Sequence, residues 1–135
     1  MANVLFDKGR ERFLEGQITW TTDDIKVMLV DTGSYTPNFS THEYKSDVTG
    51  GAIIAISGNL SGKTATGGAA DANDVTFSAV SGASSEALII FKDTGTSSTS
   101  PLLAYIDTAT GLPITPNGGD IIVTFDNGPN KIFKL

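Results

Sequence analysis

The stretch Ile25-Lys26-Val27-Met28-Leu29-Val30-Asp31-Thr32-Gly33 decides the fold class. Its first part, IKVMLV, is apolar apart from Lys26, rich in β-branched residues, and too short for a buried helix. It then stops at Asp-Thr-Gly. An Asp at a strand end can accept a hydrogen bond from the backbone two residues on, and Gly tolerates positive φ. The reading is a strand over Ile25–Asp31 closed by a turn. The same punctuation returns in FKDTG at 91–95, YIDTATG at 105–111 and FDNG at 125–128. The spacing is too uneven for a repeat array, so this is one turn chemistry used several times.

Working outward, further strands are expected at 52–59 (AIIAISGN), 75–80 (VTFSAV), 87–93, 102–107, 121–126 and 131–135, with room for a short one at 63–66. Gly and Pro separate nearly all of them. One helix is expected at 3–15, with Asn3 as N-cap and Gly16 just past its end. Phe6, Gly9, Phe13 and Leu14 fall toward one face. Gly9 costs about 1 kcal/mol in helix propensity, which close packing on a sheet would offset. The expected fold is a single all-β domain, mainly antiparallel, over 1–135: a helix at 3–15 and then a jelly-roll-like fold or β-sandwich of about seven or eight strands from 25 to 135.

Two segments are not turns. Residues 32–50 hold Tyr35, Pro37, Phe39, His42 and Tyr44, and connections beyond about 12–15 residues usually carry function. The expectation is a contact loop with Tyr35, Phe39 and Tyr44 exposed as anchors and dispensable for folding. Residues 94–100, TGTSSTS, read as a flexible polar tip. At the other end, KIFKL (131–135) has two readings. Its lysines can point outward from a protected edge strand. Alternatively Ile132, Phe133 and Leu135 can pair with a neighbouring subunit.

Composition excludes several functions. There is no cysteine, so there is no disulfide or thiolate site, and the one histidine, His42, cannot build a multi-histidine metal centre. The net charge is −6, and the only basic cluster, Lys8, Arg10 and Arg12, interleaves with Asp7, Glu11 and Glu15. That pattern is a solvated helix face, not a nucleic-acid stripe. No apolar run reaches the roughly 20 residues a membrane helix needs. Charges begin at Asp7 before an apolar stretch can build, so no signal peptide is expected.

The chemical motifs fail on spacing. Gly58–Thr64 (GNLSGKT) is one residue short of a phosphate-binding loop and precedes turn material where a helix N-terminus is needed. Asp71, Asn73 and Asp74 lack EF-hand spacing. The strand-end carboxylates Asp31, Asp93, Asp107 and Asp126 could pair for glycoside hydrolysis only if brought close together. His42 has no nucleophile elbow to serve. Trp20 could stack on a sugar, but its large apolar area suits packing of the helix onto the first strand. No cofactor, metal or catalytic residue is expected.

The chain also resembles a known group along most of its length. The resemblance lies in the opening MANVLFDKGRERFLEG, the strand DDIKVMLVDTGSYTPN, the His42–Tyr44 H-x-Y, the block DANDVTFSAVSG and the stretch IDTATGLPITPNGGDIIVTFDNG. In these features it is similar to small virion proteins of tailed bacteriophages, the capsid cement (decoration) proteins. The resemblance implies a non-enzymatic β-sandwich subunit that sits on a symmetry axis of the shell. It would be made in the host cytoplasm and bound to the major capsid protein on the capsid surface. Closed symmetry makes a dimer or trimer of the chain natural. The alternatives are a tail or fibre component, or a carbohydrate-binding module with Trp20, Tyr35 or Tyr105 exposed.

Overall fold

The computed structural model describes residues 4–107, 112–125 and 131–134. The fold is all-β, mainly antiparallel and sandwich-like. The described elements are β1 (Val4–Leu5), α1 (Asp7–Leu14), β2 (Ile25–Val30), β3 (Ile53–Ile56), β4 (Ala69–Ala70), β5 (Val75–Phe77), β6 (Ala87–Lys92), β7 (Leu102–Ile106), β8 (Ile121–Val123) and β9 (Phe133–Lys134). Five of them form one antiparallel sheet in the order β1-β7-β6-β2-β3. Two small ribbons, β4-β9 and β5-β8, complete the strand pairing.

The central strands are buried on both faces. In β2, Ile25, Val27 and Leu29 enter one apolar cluster while Met28 and Val30 enter the other. β6 divides the same way, with Leu88 and Ile90 on one side and Ala87, Ile89 and Phe91 on the other. The ribbons cover the first face through Val75, Phe77, Ile121, Val123 and Phe133, joined by Trp20 and Leu60. Phe6 and the connection between β2 and β3 cover the second face through Tyr35, Val48 and Ala52. A strand covered on both faces needs apolar residues at consecutive positions rather than alternate ones. IKVMLV, ALIIF and LLAYI are built that way.

The strand-end turns form where Asp-Thr-Gly stands. Asp31 Oδ1 accepts the Gly33 N–H at 2.9 Å, and Asp93 Oδ1 accepts the Gly95 N–H at 2.9 Å. Asp126 lies outside the described residues. The predicted strand at 63–66 reduces to Thr64, bridged antiparallel to Asp71. The strands expected at 25–31, 52–59, 75–80, 87–93, 102–107 and 121–126 end one to three residues earlier than their sequence patterns suggest, where the chain turns out of its ladder.

The helix is shorter than its pattern. It starts at Asp7, and Val4–Leu5 instead pairs with Ala104–Tyr105 of β7. The predicted cap, Asn3, lies outside the described residues, and Phe6 takes the N-cap position. Main-chain bonds anchor this entry: Phe6 N–H to Leu103 O at 3.0 Å and Asp7 N–H to Phe39 O at 2.8 Å. Gly16 ends the helix as expected, at φ 73°. Leu14 does not join the packed face and is 89% exposed.

Gly9 explains how α1 lies so close to β7. A Cβ at this position would stand 2.6 Å from Leu102 O and 3.0 Å from Leu103 Cα, both backbone atoms. Fully burying Phe6 beside it contributes roughly 2–3 kcal/mol, which exceeds the ~1 kcal/mol propensity cost of a helical glycine. Gly9→Ala should therefore destabilise the fold by about 1–3 kcal/mol in urea unfolding, despite alanine's better helix propensity. Equal or higher stability would show that the helix does not dock on the Leu102–Leu103 backbone.

Candidate functional site

The loop from 32 to 50 folds back onto the sheet instead of standing clear of it. Tyr35 is 4% exposed, so it is part of the core and not the exposed anchor its position in a long loop suggests. Phe39 is half-buried, with ring centroids 5.2 Å from Phe6 and 5.5 Å from Tyr105. Pro37, His42 and Tyr44 are half-buried as well.

The loop is pinned at several points. Leu102 N–H donates to Glu43 O at 2.8 Å and Lys45 N–H to Ser100 O at 2.8 Å, so residues 43–45 run beside the start of β7. Asp47 Oδ2 accepts the N–H groups of Glu43 at 2.7 Å and Tyr44 at 3.0 Å. These two backbone donors hold the Asp47 carboxyl below the usual carboxylate range, with a smaller contribution from His42. Arg12 of α1 reaches Glu43 Oε1 at 2.7 Å, Tyr44 Oη at 2.7 Å and Gln17 Oε1 at 2.6 Å. Its guanidinium also lies over the Tyr44 ring, 5.1 Å from the centroid. Arg12 is thus a tie between helix and loop, where the charge pattern suggested a solvated face.

His42 has a structural position. The Tyr35 hydroxyl lies 2.7 Å from its Nδ1, and Asn38 N–H donates to the same atom at 3.2 Å. Nδ1 is therefore an acceptor already engaged, and the ring is stacked on Tyr35 at 5.4 Å between centroids. Burial, with Asp47 and Tyr105 adding, pushes the Tyr35 phenol well above its ordinary value. Burial raises Tyr105 too, followed by the effects of Asp107 and Glu86. Neither phenol is poised to ionise near neutral pH.

The other sequence candidates are used by the fold. Lys63 Nζ donates to the Asp23 carbonyl, and Thr64 and Asp71 exchange backbone bonds at 3.0 Å, so the Gly-Lys-Thr segment is the corner of a hairpin. Asp71, Asn73 and Asp74 diverge to different partners: Ala72 N–H at 2.9 Å, Ser61 Oγ at 3.1 Å and Phe125 N–H at 3.2 Å. Among the described residues, no three His, Asp or Glu side chains gather to hold a metal ion. Asp31 and Asp93 follow opposite ends of the antiparallel pair β2-β6. Six residues of strand put them about 20 Å apart, too far for a glycosidase pair. Asp93 instead pairs with Lys26 at 2.7 Å, which together with the Gly95 N–H lowers its pKa.

No aromatic platform for a sugar forms from the three candidates. Trp20, Tyr35 and Tyr105 are 6%, 4% and 4% exposed. Trp20 meets Phe133 edge-on at 5.3 Å, and Phe13 of α1 meets the same ring at 5.9 Å. Trp20 thus has the C-terminal strand as its aromatic partner, within the same apolar cluster that holds Ile25, Val27 and Leu29 of β2. Ile132 and Phe133 are buried in this cluster at 2% and 7% exposure, so their side chains are not a free contact surface. Lys134 points outward, as an edge strand requires, and Leu135 lies outside the described residues. The segment 94–100 is closed by its own hydroxyls, with Thr94 Oγ1 to Thr99 Oγ1 at 2.6 Å and Ser100 Oγ to Thr96 O at 2.8 Å, and so is not a loose tip.

Among the described residues, the exposed large apolar side chains are Leu14, Ile56 and Ile122. A groove of about 430 Å³ lined by Leu5, Arg10, Phe13, Leu14 and Lys134 runs between α1 and β9. Among the described residues, no helix is long and apolar enough to cross a membrane. No protein-family model matches this sequence, and no curated protein matches it significantly.

Phe39→Ala should cost about 2 kcal/mol, or roughly 8 °C in melting temperature, because a half-buried ring leaves a partial cavity. An unchanged melting temperature would mean the loop does not cover the sheet. Asp47 and Asp93 have folded pKa values below their unfolded ones, so they stabilise above the unfolded carboxylate range and lose that contribution as pH falls through the folded values. The urea midpoint should therefore drop on acidification, and Asp47→Asn with Asp93→Asn should flatten that drop. A double variant with the wild-type acid profile would remove both carboxylates from the account.

Proposed function

We propose that this chain is a non-enzymatic structural protein of a tailed-bacteriophage virion, a capsid cement protein that binds across neighbouring major capsid protein subunits and associates with itself. One structural observation supports the non-enzymatic part most directly. The groups that could do chemistry hold backbone in place: His42 and Asp47 the long loop, Asp31 and Asp93 strand-end turns, Lys63 a corner. Catalysis needs such groups convergent on a common point with open access.

The same features suit a clamp. A cement subunit is useful only if it deforms less than the shell it holds. The main sheet is covered on both faces, and its long connections are tied down by main-chain bonds and by Arg12. Charged residues make up only 18% of the chain, and the described surface carries isolated exposed apolar side chains. Such a surface can lie close against another protein at low desolvation cost. The likeness to cement proteins along most of the chain supplies the specific partner.

Co-sedimentation with empty phage capsids stripped of their own decoration tests this reading. The expected result is saturable pelleting at a fixed number of copies per shell, with no binding to free capsid subunits. Protein left in the supernatant with several related shells would sink the cement reading, and with it the assignment to the capsid surface.

A further inference from the structure

We infer that the outer edge of β3 pairs with the same edge of a second copy of the chain, antiparallel about a two-fold axis, so that two five-stranded sheets become one of ten strands. This specifies the self-association in the reading above, but it stands on the chain alone and involves no capsid.

The two edges of the main sheet differ. At one end lies β1, two residues long, which passes at once into a helix beginning Asp7-Lys8. Short length and adjacent charge are ordinary devices against edge-to-edge pairing. At the other end lies β3, twice as long, with a bulge at Ile54 but without the adjacent charge. From Thr49 to Gly62 there is no charged residue and no proline. Ile56 is 41% exposed, and Ile53, Ile54 and Ala55 are half-exposed.

Among the described residues, none bonds to the backbone of β3 on that side. Ser57 N–H donates to Val27 O at 2.9 Å, and Ala52 O accepts Asp31 N–H at 2.9 Å. Between them Ala55 faces Leu29, Ile56 faces Met28 and Ile53 faces Val30, with Ile54 passed over at a bulge. In an antiparallel ladder alternate residues turn their N–H and C=O groups to opposite sides. Ser57, Ala55 and Ala52 turn inward to β2, so Ile56 and Ile53 turn outward to the open edge.

Charge selects a second copy as the occupant. Two chains of net charge −6 repel, and they approach at least cost where neither carries charge. The β3 edge is such a place, and its neighbour extends it. Gly82 lies against Ile54, with a Cβ there 3.5 Å from Ile54 Cγ2, and residues 75–85 are also uncharged. A strand ladder alone falls short of the roughly 800 Å² per partner that a stable dimer needs. The neutral flank at 81–84 supplies further area, all of it small and exposed. An isologous pairing brings this same surface from both copies together.

The test is sedimentation velocity of the purified chain at tens of micromolar, with Ile56→Lys and Ile122→Lys alongside. The wild type should run as a dimer, and Ile56→Lys, which sets like charges across the axis, as a monomer with unchanged circular dichroism. Ile122→Lys, on β8, should stay dimeric. Amide exchange of the wild type adds a reading that needs no variant: protection of the Ile56 N–H should rise with protein concentration. The inference is overturned by a monomeric or trimeric wild type, by a dimeric Ile56→Lys, by dissociation through Ile122→Lys, or by exchange at Ile56 that ignores concentration. If Ile56→Lys does not fold, the exchange measurement decides.

Discussion

Three adjacent strands with apolar side chains on both faces need two covers, and the rest of the structure follows from that requirement. Each fully buried Leu, Ile or Phe on β2, β6 and β7 contributes roughly 1.5–3 kcal/mol only if water is kept from its own side of the sheet. The ribbons β4-β9 and β5-β8 seal one side. Among the described residues, no sheet seals the other side. It is closed by Phe6 and by a connection whose aromatic and small apolar residues, Tyr35, Phe39, Val48 and Ala52, take the place of a second layer.

A cover made of loop has to satisfy its own main-chain polar groups, since it has no regular ladder to do so. The molecule meets this with Asp47 under two N–H groups, with backbone bonds to residues 100 and 102, and with Arg12 reaching across from the helix. Arg12 and Glu43 are only partly exposed, at 19% and 34% of their side chains, so the pair contributes modestly, on the order of 1 kcal/mol. Its greater effect is geometric, because one guanidinium fixes Glu43, Tyr44 and Gln17 at once. Many of the polar residues that catch the eye in the sequence are therefore parts of a frame.

Much of this architecture was legible in the residues. Strand positions, the Asp-Thr-Gly turns, Gly16 at the helix end and the role of Gly9 all rest on local chemistry, and local chemistry is what a sequence displays directly. The long loop was harder. Its length and aromatics suit a partner-binding loop and a core cover equally well, and composition alone cannot separate them. The separating signal lay elsewhere, in IKVMLV, ALIIF and LLAYI. Continuous apolar runs mean burial on both faces, and the 32–50 segment is where aromatics stand ready to supply the second cover. Arg12 was obscured for a different reason: its charged neighbours Lys8 and Glu11 do form an exposed helix pair, at 3.4 Å. The helix start was misplaced because Val4–Leu5 continues the apolar pattern while tertiary pairing with β7 draws it into a strand.

The packing of Trp20 against Phe133 joins residues more than a hundred positions apart, and the chain has no other tryptophan. During synthesis the indole and the ring of Phe13 lack this shared partner until residues 131–134 have been made and folded back. A product cut short by a premature stop would display this aromatic pair, the kind of surface that chaperones and proteases recognise. Indole emission accordingly reports whether the segment around Phe133 has folded back onto the region after the helix, a long-range closure read at a single residue.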